Sequence, residues 1–572
     1  MILRLLKLLQ LVISQLQNYT LLELMLIFKN IKMKKRIVLF SLFVTLLSCN
    51  DALEIVQKGE LNDAALFTSV ANMQLFLNET YDRINTENDI QVSSLLTDEV
   101  AIGSGLTVND TQRFFMVSTN GFAGNIWNTH YNLINYCNRL IRGAALYTPT
   151  AAELPAYNSI LAQTKALRAF AHFQLLTYFS TDLSNDMAPG VMIVDFVPSI
   201  NEDAPRSTTG EVFEFIESDL DYAEANLISP TGANAYKFVN NNFIKSFRAR
   251  MYLYRKNYAQ ALVYANDVIA TSGRSLSTST VSVANFPATS SAIVPQGTGT
   301  GSTTINIDPG ATFPIQRALY QVDQWVSATS PVYRKMWVDA DQGEILFALD
   351  RPINKINFSS RYNTNGSYLT GGPLYDMGRT LFNLYTNPLG GGAEDFRRWC
   401  FVDRSASIST TPGTATRTGE VIVIDKYPGK SGGHTANDLK VFRLSEIYFI
   451  KAECLVRSGD LVGAANLIRQ VRQARSYTGG VVPLPVYSNV TSAIADILLE
   501  RRKELSFEGH RYIDLKRLGV DASVSGTDRY AQDAVNSSAT SPVNISNGDY
   551  RFTLPIPQSE INVNALSQNP GY

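Results

Sequence analysis

The sequence predicts a mainly α-helical protein: a TPR-like helical scaffold with long irregular loop insertions and a few short strands. Three observations predict it. Apolar residues recur at three- and four-residue spacing over 69–84, 127–145, 155–179 and 210–227, which puts them on one face of a helix in each segment. An internal repeat follows, because Ala249, Tyr252, Tyr258 and Ala261 recur with the same offsets as Ala452, Leu455, Leu461 and Ala464. A small residue where two helices cross, a bulky one a turn later and a second pair on the return helix is tetratricopeptide spacing. Gly459 falls at the turn, Ile468 and Val471 extend the apolar face of the second copy, and Ala265 and Val268 that of the first. Strand-like runs are few and late, at Glu344–Phe347 and Val421–Ile424.

Taken from the N-terminus, residues 1–32 carry apolar runs broken by Lys7, Gln10, Gln15, Asn18 and Glu23, and read as an extension from a start assigned too early. A complete signal begins at Met33: Lys34, Lys35 and Arg36 form its positive region and Ile37–Leu47 its apolar one. That run is too short to span a bilayer. It ends in Leu46-Leu47-Ser48-Cys49, which resembles the bacterial lipobox, so 33–48 is read as a lipoprotein signal peptide and Cys49 as the acylated residue. Several acyl chains hold a soluble body on a membrane durably, whereas one does not.

The mature chain then divides into a helical part over 49–270, a loop-rich insertion over 271–440 and a C-terminal part with the second TPR-like pair over 441–572, all in one compact domain. The insertion is marked by Ser, Thr, Gly and Pro clusters such as Thr298-Gly299-Thr300-Gly301-Ser302 with aromatics among them. At 572 residues, 45% hydrophobic and 18% charged, the chain buries a large core. Its 50 Lys and Arg nearly cancel its 51 Asp and Glu, which speaks against nucleic acid as a partner and for a neutral or weakly charged ligand.

No residue pattern points to catalysis or to a bound cofactor. Glu500, Glu504 and Glu508 line one helical face, but Arg501, Arg502, Lys503 and Arg511 lie within pairing reach, and Gly509 reads as the helix C-cap. Gly429-Lys430-Ser431-Gly432-Gly433 matches a nucleophile elbow in letters only, because a Gly- and Asn-rich loop follows the Ser in place of a helix. The four cysteines and four histidines have no ligand spacing for zinc. Asp339-Ala340-Asp341-Gln342-Gly343 suggests an oxygen-rich calcium loop, yet Glu344–Phe347 continues as a strand.

The stretch Glu500-Arg501-Arg502-Lys503-Glu504-Leu505-Ser506-Phe507-Glu508-Gly509-His510-Arg511-Tyr512 and its continuation to Arg517 strongly resembles the C-terminal signature of the SusD/RagB family. Further matches are Ala166–Phe170, Lys426-Tyr427-Pro428, Arg443–Tyr448, Pro555–Ile561 and the closing Gln568-Asn569-Pro570-Gly571-Tyr572. The resemblance implies an outer-membrane lipoprotein of Bacteroidetes-type bacteria, lipid-anchored and facing the cell exterior. It also implies a non-catalytic body that captures glycans for a SusC-like TonB-dependent transporter.

Sugar chemistry then selects candidate residues. A pyranose has an apolar C–H face and a polar rim, so its sites pair exposed rings with Asn, Asp, Gln or Arg. Tyr320, Asp323, Gln324, Trp325 and Tyr333 supply both kinds, with Trp337 nearby; Asn109 and Phe114, beside Asp110, Arg113 and Phe115, form a second patch. Trp127, Tyr131 and Asn135 are expected to pack inward. An uptake lipoprotein for peptide or another non-sugar nutrient is the alternative, and a surface glycosidase the third reading, which needs a paired-carboxylate cleft.

Overall fold

A computed structural model describes residues 66–572 apart from 104–105, 107–108, 199–203, 281–289, 296–301, 308–329, 354–359, 364–372, 403–419, 421, 431–435, 535–541 and 565. The expectations for 1–32, the signal segment 33–48 and Cys49 lie outside these residues, as do those for Tyr320, Asp323, Gln324, Trp325 and Ser431.

Helix α1 (Val70–Arg83) starts where the Asn72 N–H donates to the Ser69 hydroxyl, and α2 (Glu87–Leu95) follows it directly. Helix α3 (Gly121–Ala144) begins before the 127 that periodicity marks, because the Asn120 side chain accepts from the Phe122 and Ala123 N–H groups and caps it there. Helix α4 (Leu154–Phe179) packs between α3 and α5 (Thr209–Asn226), the latter opened by a Thr208–Glu211 capping box. Burial continues almost all round α4 from Thr164 to Phe179, so even Arg168 is inside, held by Asp219 at 2.8 Å.

Both expected TPR-like pairs are present. Helices α6 (Asn241–Tyr254) and α7 (Tyr258–Thr271) make the first hairpin. Four short helices, α8 (Val332–Trp337), α9 (Ser360–Asn363), α10 (Arg379–Thr386) and α11 (Arg397–Phe401), precede the second, formed by α12 (Leu444–Arg457) and α13 (Leu461–Ala474). Ala249, Ala261, Ala265, Val268, Ala452, Ala464, Ile468 and Val471 are all buried, and α7 packs on α12, so the two hairpins stack.

The hairpin turns correspond residue for residue. Lys256 has φ +60° where Gly459 has φ +91°, and each is followed by a side-chain cap, Asn257 to Gln260 N–H and Asp460 to Gly463 N–H. A left-handed Lys is strained where Gly is not. Lys256→Gly is therefore expected to stabilise the protein by about 0.5–1 kcal/mol. A thermal unfolding midpoint at or below that of the parent would contradict this.

Helices α14 (Val490–Glu504), α15 (Arg511–Leu518) and α16 (Gln558–Asn564) end the chain, with Ile494, Ile497 and Leu498 of α14 packed on the second hairpin. Helix α14 stops at Glu504, so Glu508 is not on its face and Gly509 is not its C-cap. Phe507 at φ +60° and Gly509 at φ +88° instead turn the chain into α15.

The described strands form four antiparallel pairs: β1 (Val100–Ile102) with β7 (Tyr375–Met377), β2 (Pro189–Met192) with β3 (Arg206–Thr208), β4 (Ser290–Pro295) with β5 (Ser302–Ile307), and β6 (Ile345–Leu349) with β8 (Leu439–Arg443). The β6–β8 pair carries Ile345–Phe347 of the expected run into the interior as a strand, with Glu344 in the turn before it. Of the run expected at 421–424, a single bridge forms, Val402 to Ile424. The later part of the 271–440 insertion is thus core: Tyr333, Trp337, Arg397 and Lys426 are each fully buried.

A buried charge network ties that insertion to the signature on α14. Glu504 accepts from Arg475 at 2.9 Å, Arg443 at 2.9 Å, Arg397 at 3.2 Å and the Tyr333 hydroxyl at 3.1 Å. Glu500 takes Arg397 and Arg472, Glu508 takes Lys426 and Arg443, and Glu344 takes Arg443 and Arg475. The expected local pairing within 500–511 does not form. Arg501 goes to Asp514, Lys503 to Asp395, and both Arg502 and Arg511 to Asp98.

Candidate functional site

The loop leading into α3 is wound tightly by its own sequence. Asn109 opens a turn, its side-chain oxygen accepting from the Gln112 N–H at 3.0 Å, while the Phe114 and Phe115 N–H groups reach back to Thr111 and Asp110 carbonyls. Asn120 Nδ2 donates to Thr111 Oγ1 at 3.1 Å, so the cap of α3 also fastens the loop.

Phe114 sits at φ +59°, in the left-handed region, and this reversal separates two adjacent rings. Phe114 turns inward, 3% exposed, while Phe115 is 59% exposed and Val117 beside it is also open to solvent. Beneath the loop, the Arg529 guanidinium stacks 3.9 Å from the Phe114 ring centre and donates to the Thr97, Gln112 and Leu95 carbonyls. Burial pushes the Arg529 pKa down to about 9, because its partners are neutral carbonyls with Asp98 and Asp533 more distant. Arg551 donates to the Phe114 carbonyl, and Ser118 pairs with Gln558 at 2.9 Å. The result is a pre-formed loop that presents one apolar ring among polar neighbours, Asp110 and Arg113. Such a surface can stack a sugar face and hydrogen-bond its rim.

The other candidates fall elsewhere. Tyr333, expected as a ligand aromatic, is 0% exposed: Arg475 lies 4.1 Å over its ring and its hydroxyl belongs to Glu504, so it serves the charge network. Phe114 is likewise corrected from platform to pedestal, being 3% exposed, while half-buried Asn109 anchors the turn and reaches the Tyr375 hydroxyl. Trp337 is enclosed beside Lys426 and Phe401. Trp127 packs inward as expected, against Phe179. Of the two adjacent rings in that patch, Phe115 is the exposed one. Nothing in the sequence marks which of two consecutive phenylalanines takes the positive φ.

Glu500, Glu504 and Glu508 are each held by buried basic side chains. Burial alone would raise the pKa of Glu500 and Glu504, but Arg397 and Arg472 for the first, and Arg475 and Arg443 for the second, outweigh it and hold both below the usual carboxylate range. Asp339 is occupied by Lys440, Asn437 and the Asp438 N–H, so its oxygens face protein donors. His130 is bound to Asp89 at 2.9 Å, and His172, whose pKa burial lowers to about 4, donates to the Arg168 carbonyl.

Burial raises the Glu99 pKa from 4.5 to about 7, against hydrogen bonds from Ser94 and the Phe507 N–H. A carboxyl with a raised folded-state pKa contributes stability at low pH that is lost as pH rises through the folded value. Glu99→Gln is accordingly expected to gain on the parent by about 3 kcal/mol between about pH 5 and about pH 8. Urea unfolding at both pH values measures it; an unchanged difference would contradict the assignment.

The family profile described as "Starch-binding associating with outer membrane" matches residues 54–253, and that of the "SusD family" matches 405–572. SusD-like protein P2 of Formosa agariphila is 24% identical over 94% of this chain and 100% of its own length. The starch-binding protein SusD of Bacteroides thetaiotaomicron is 30% identical over 26% of this chain and 24% of its own. In fold, the chain resembles a SusD superfamily protein of Bacteroides thetaiotaomicron (TM-score 0.62, 21% identity, 88% of this chain and 100% of the other). It also resembles a putative sugar binding protein of Bacteroides vulgatus (TM-score 0.61, 21% identity, 88% and 99%).

Proposed function

We propose that this chain, which belongs to the SusD/RagB family, is a cell-surface lipoprotein that binds oligosaccharide or polysaccharide and passes it on without covalent chemistry. The observation that carries the reading is the Phe115 ring, exposed on a loop already pinned by Arg529 and Asn120. A pre-formed aromatic platform binds without first ordering a loop. The names of its relatives support a sugar as the ligand, since one is a starch-binding protein and another a putative sugar binding protein.

Delivery to a SusC-like TonB-dependent transporter completes the proposal. No helix among the described residues is long and apolar enough to cross a membrane. Attachment rests on acyl chains at Cys49, which ends the lipobox-like Leu46-Leu47-Ser48-Cys49, with the body on the outer face of the outer membrane. Labelled palmitate is expected to be incorporated by the parent and absent from Cys49→Ala; label surviving the substitution would contradict the anchor.

The function itself is tested on a glycan array with the purified protein, followed by chromatography of each bound glycan. Binding with the glycan returned at its original length is the expected result. Shortened products would establish a glycosidase, and an array without binders would turn the search to peptides and other nutrients.

A further inference from the structure

A cavity of about 300 Å³ lies between the C-terminal turn of α1, the Ala235–Lys237 turn and the end of β6. It shares no residue with the Phe115 loop. Ile84 and Leu349, both buried, close its floor. One wall is the Phe238 ring, 38% exposed, braced edge-on by Tyr81 at 5.3 Å and 87°. Tyr81 cannot swing away, because its hydroxyl donates to Gln163 at 2.7 Å and accepts from the Val239 N–H at 2.9 Å. The mouth is ringed by exposed polar groups, Asn78, Asp82 and Asn234.

Charge decides what such a cavity takes. Lys237, the cation on its lining, is held by Asp350 at 2.8 Å and Asp438 at 2.9 Å, so it is already neutralised and has no call on an anion. What remains is an apolar ring face, an apolar floor and amide and carboxylate acceptors and donors at the rim. That set matches a neutral polyhydroxylated ring. The volume lies at the small end of ligand pockets, about 300–1,000 Å³, and suits a mono- or disaccharide more than a long chain.

We propose that this cavity is a second, separate carbohydrate subsite that holds a terminal sugar unit by stacking it on Phe238 with its hydroxyls on Asn78, Asp82 and Asn234. The proposal rests on the carbohydrate reading above.

Saturation-transfer NMR with millimolar methyl glycosides of glucose, galactose, mannose and xylose tests it on the full chain in detergent. Transfer to at least one glycoside is expected in the parent and in Phe115→Ala, and, in the Phe115→Ala background where the loop no longer contributes, a loss of about tenfold on adding Phe238→Ala. Asn78→Arg, on the solvent side of α1, blocks the mouth without touching the core and in the same Phe115→Ala background is expected to abolish the remaining signal. Transfer lost in Phe115→Ala but kept in Phe238→Ala and Asn78→Arg would overturn the second subsite, as would no transfer in the parent. Retention on long polysaccharides reports separately on the Phe115 loop, so failure here leaves the general carbohydrate reading to its own experiment.

Discussion

Glu504→Gln is expected to cost about 3–5 kcal/mol of stability, the largest effect of any single substitution considered. Glu504 is 0% exposed and accepts from Arg397, Arg443 and Arg475, each itself at most 1% exposed. Neutralising it leaves three buried guanidinium groups sharing less counter-charge, and a Gln side-chain NH₂ in their midst adds a donor where acceptors are needed. Its depressed pKa makes the contribution present above the unfolded carboxylate value of 4.5, to be lost only as pH falls well below it. Equilibrium urea unfolding near neutral pH measures the loss. A cost below about 1 kcal/mol would show that Glu344 suffices for Arg443 and Arg475, and Asp395 and Glu500 for Arg397, and that the network is less cooperative than its geometry implies.

Phe115→Ala is expected to weaken glycan binding by about 1–3 kcal/mol while changing stability by less than about 0.5 kcal/mol, because the ring is 59% exposed. Arg529→Met is the informative contrast. It removes the donors to the Leu95, Thr97 and Gln112 carbonyls and the stack on Phe114, so stability should fall by about 1–3 kcal/mol along with affinity. Titration of both variants with a glycan identified on the array, alongside their melting curves, checks the pair. Unchanged affinity in Phe115→Ala would remove the loop from the site.

The helices and the two TPR-like hairpins were legible in the sequence because their signal is periodic and local. The limits of that signal show at Asn120, whose cap starts α3 at Gly121 where Gly121 and Gly124 interrupt the apolar pattern. At the signature, spacing revealed three carboxylates and ion pairing as their role, but assigned neighbours at three or four residues as partners. The actual partners of Glu504 come from Tyr333, Arg397, Arg443 and Arg475, brought there by the fold from distant parts of the chain. The site was half legible. Composition pointed to the 109–115 loop, whereas the inversion of Phe114 and Phe115 depends on one backbone dihedral. The wall of the second cavity, Tyr81 against Phe238, joins residues 157 apart, and no local pattern links them.

The central claim is that the folded body holds a glycan and leaves it intact. Affinity electrophoresis tests it most directly, with the protein run through native gels cast with each candidate polysaccharide and the reducing ends in each gel assayed afterwards. The account predicts retarded migration in at least one gel, reversed in Phe115→Ala, with no new reducing ends. Unretarded migration in every gel, or reducing ends released in the gel that retards it, would contradict it.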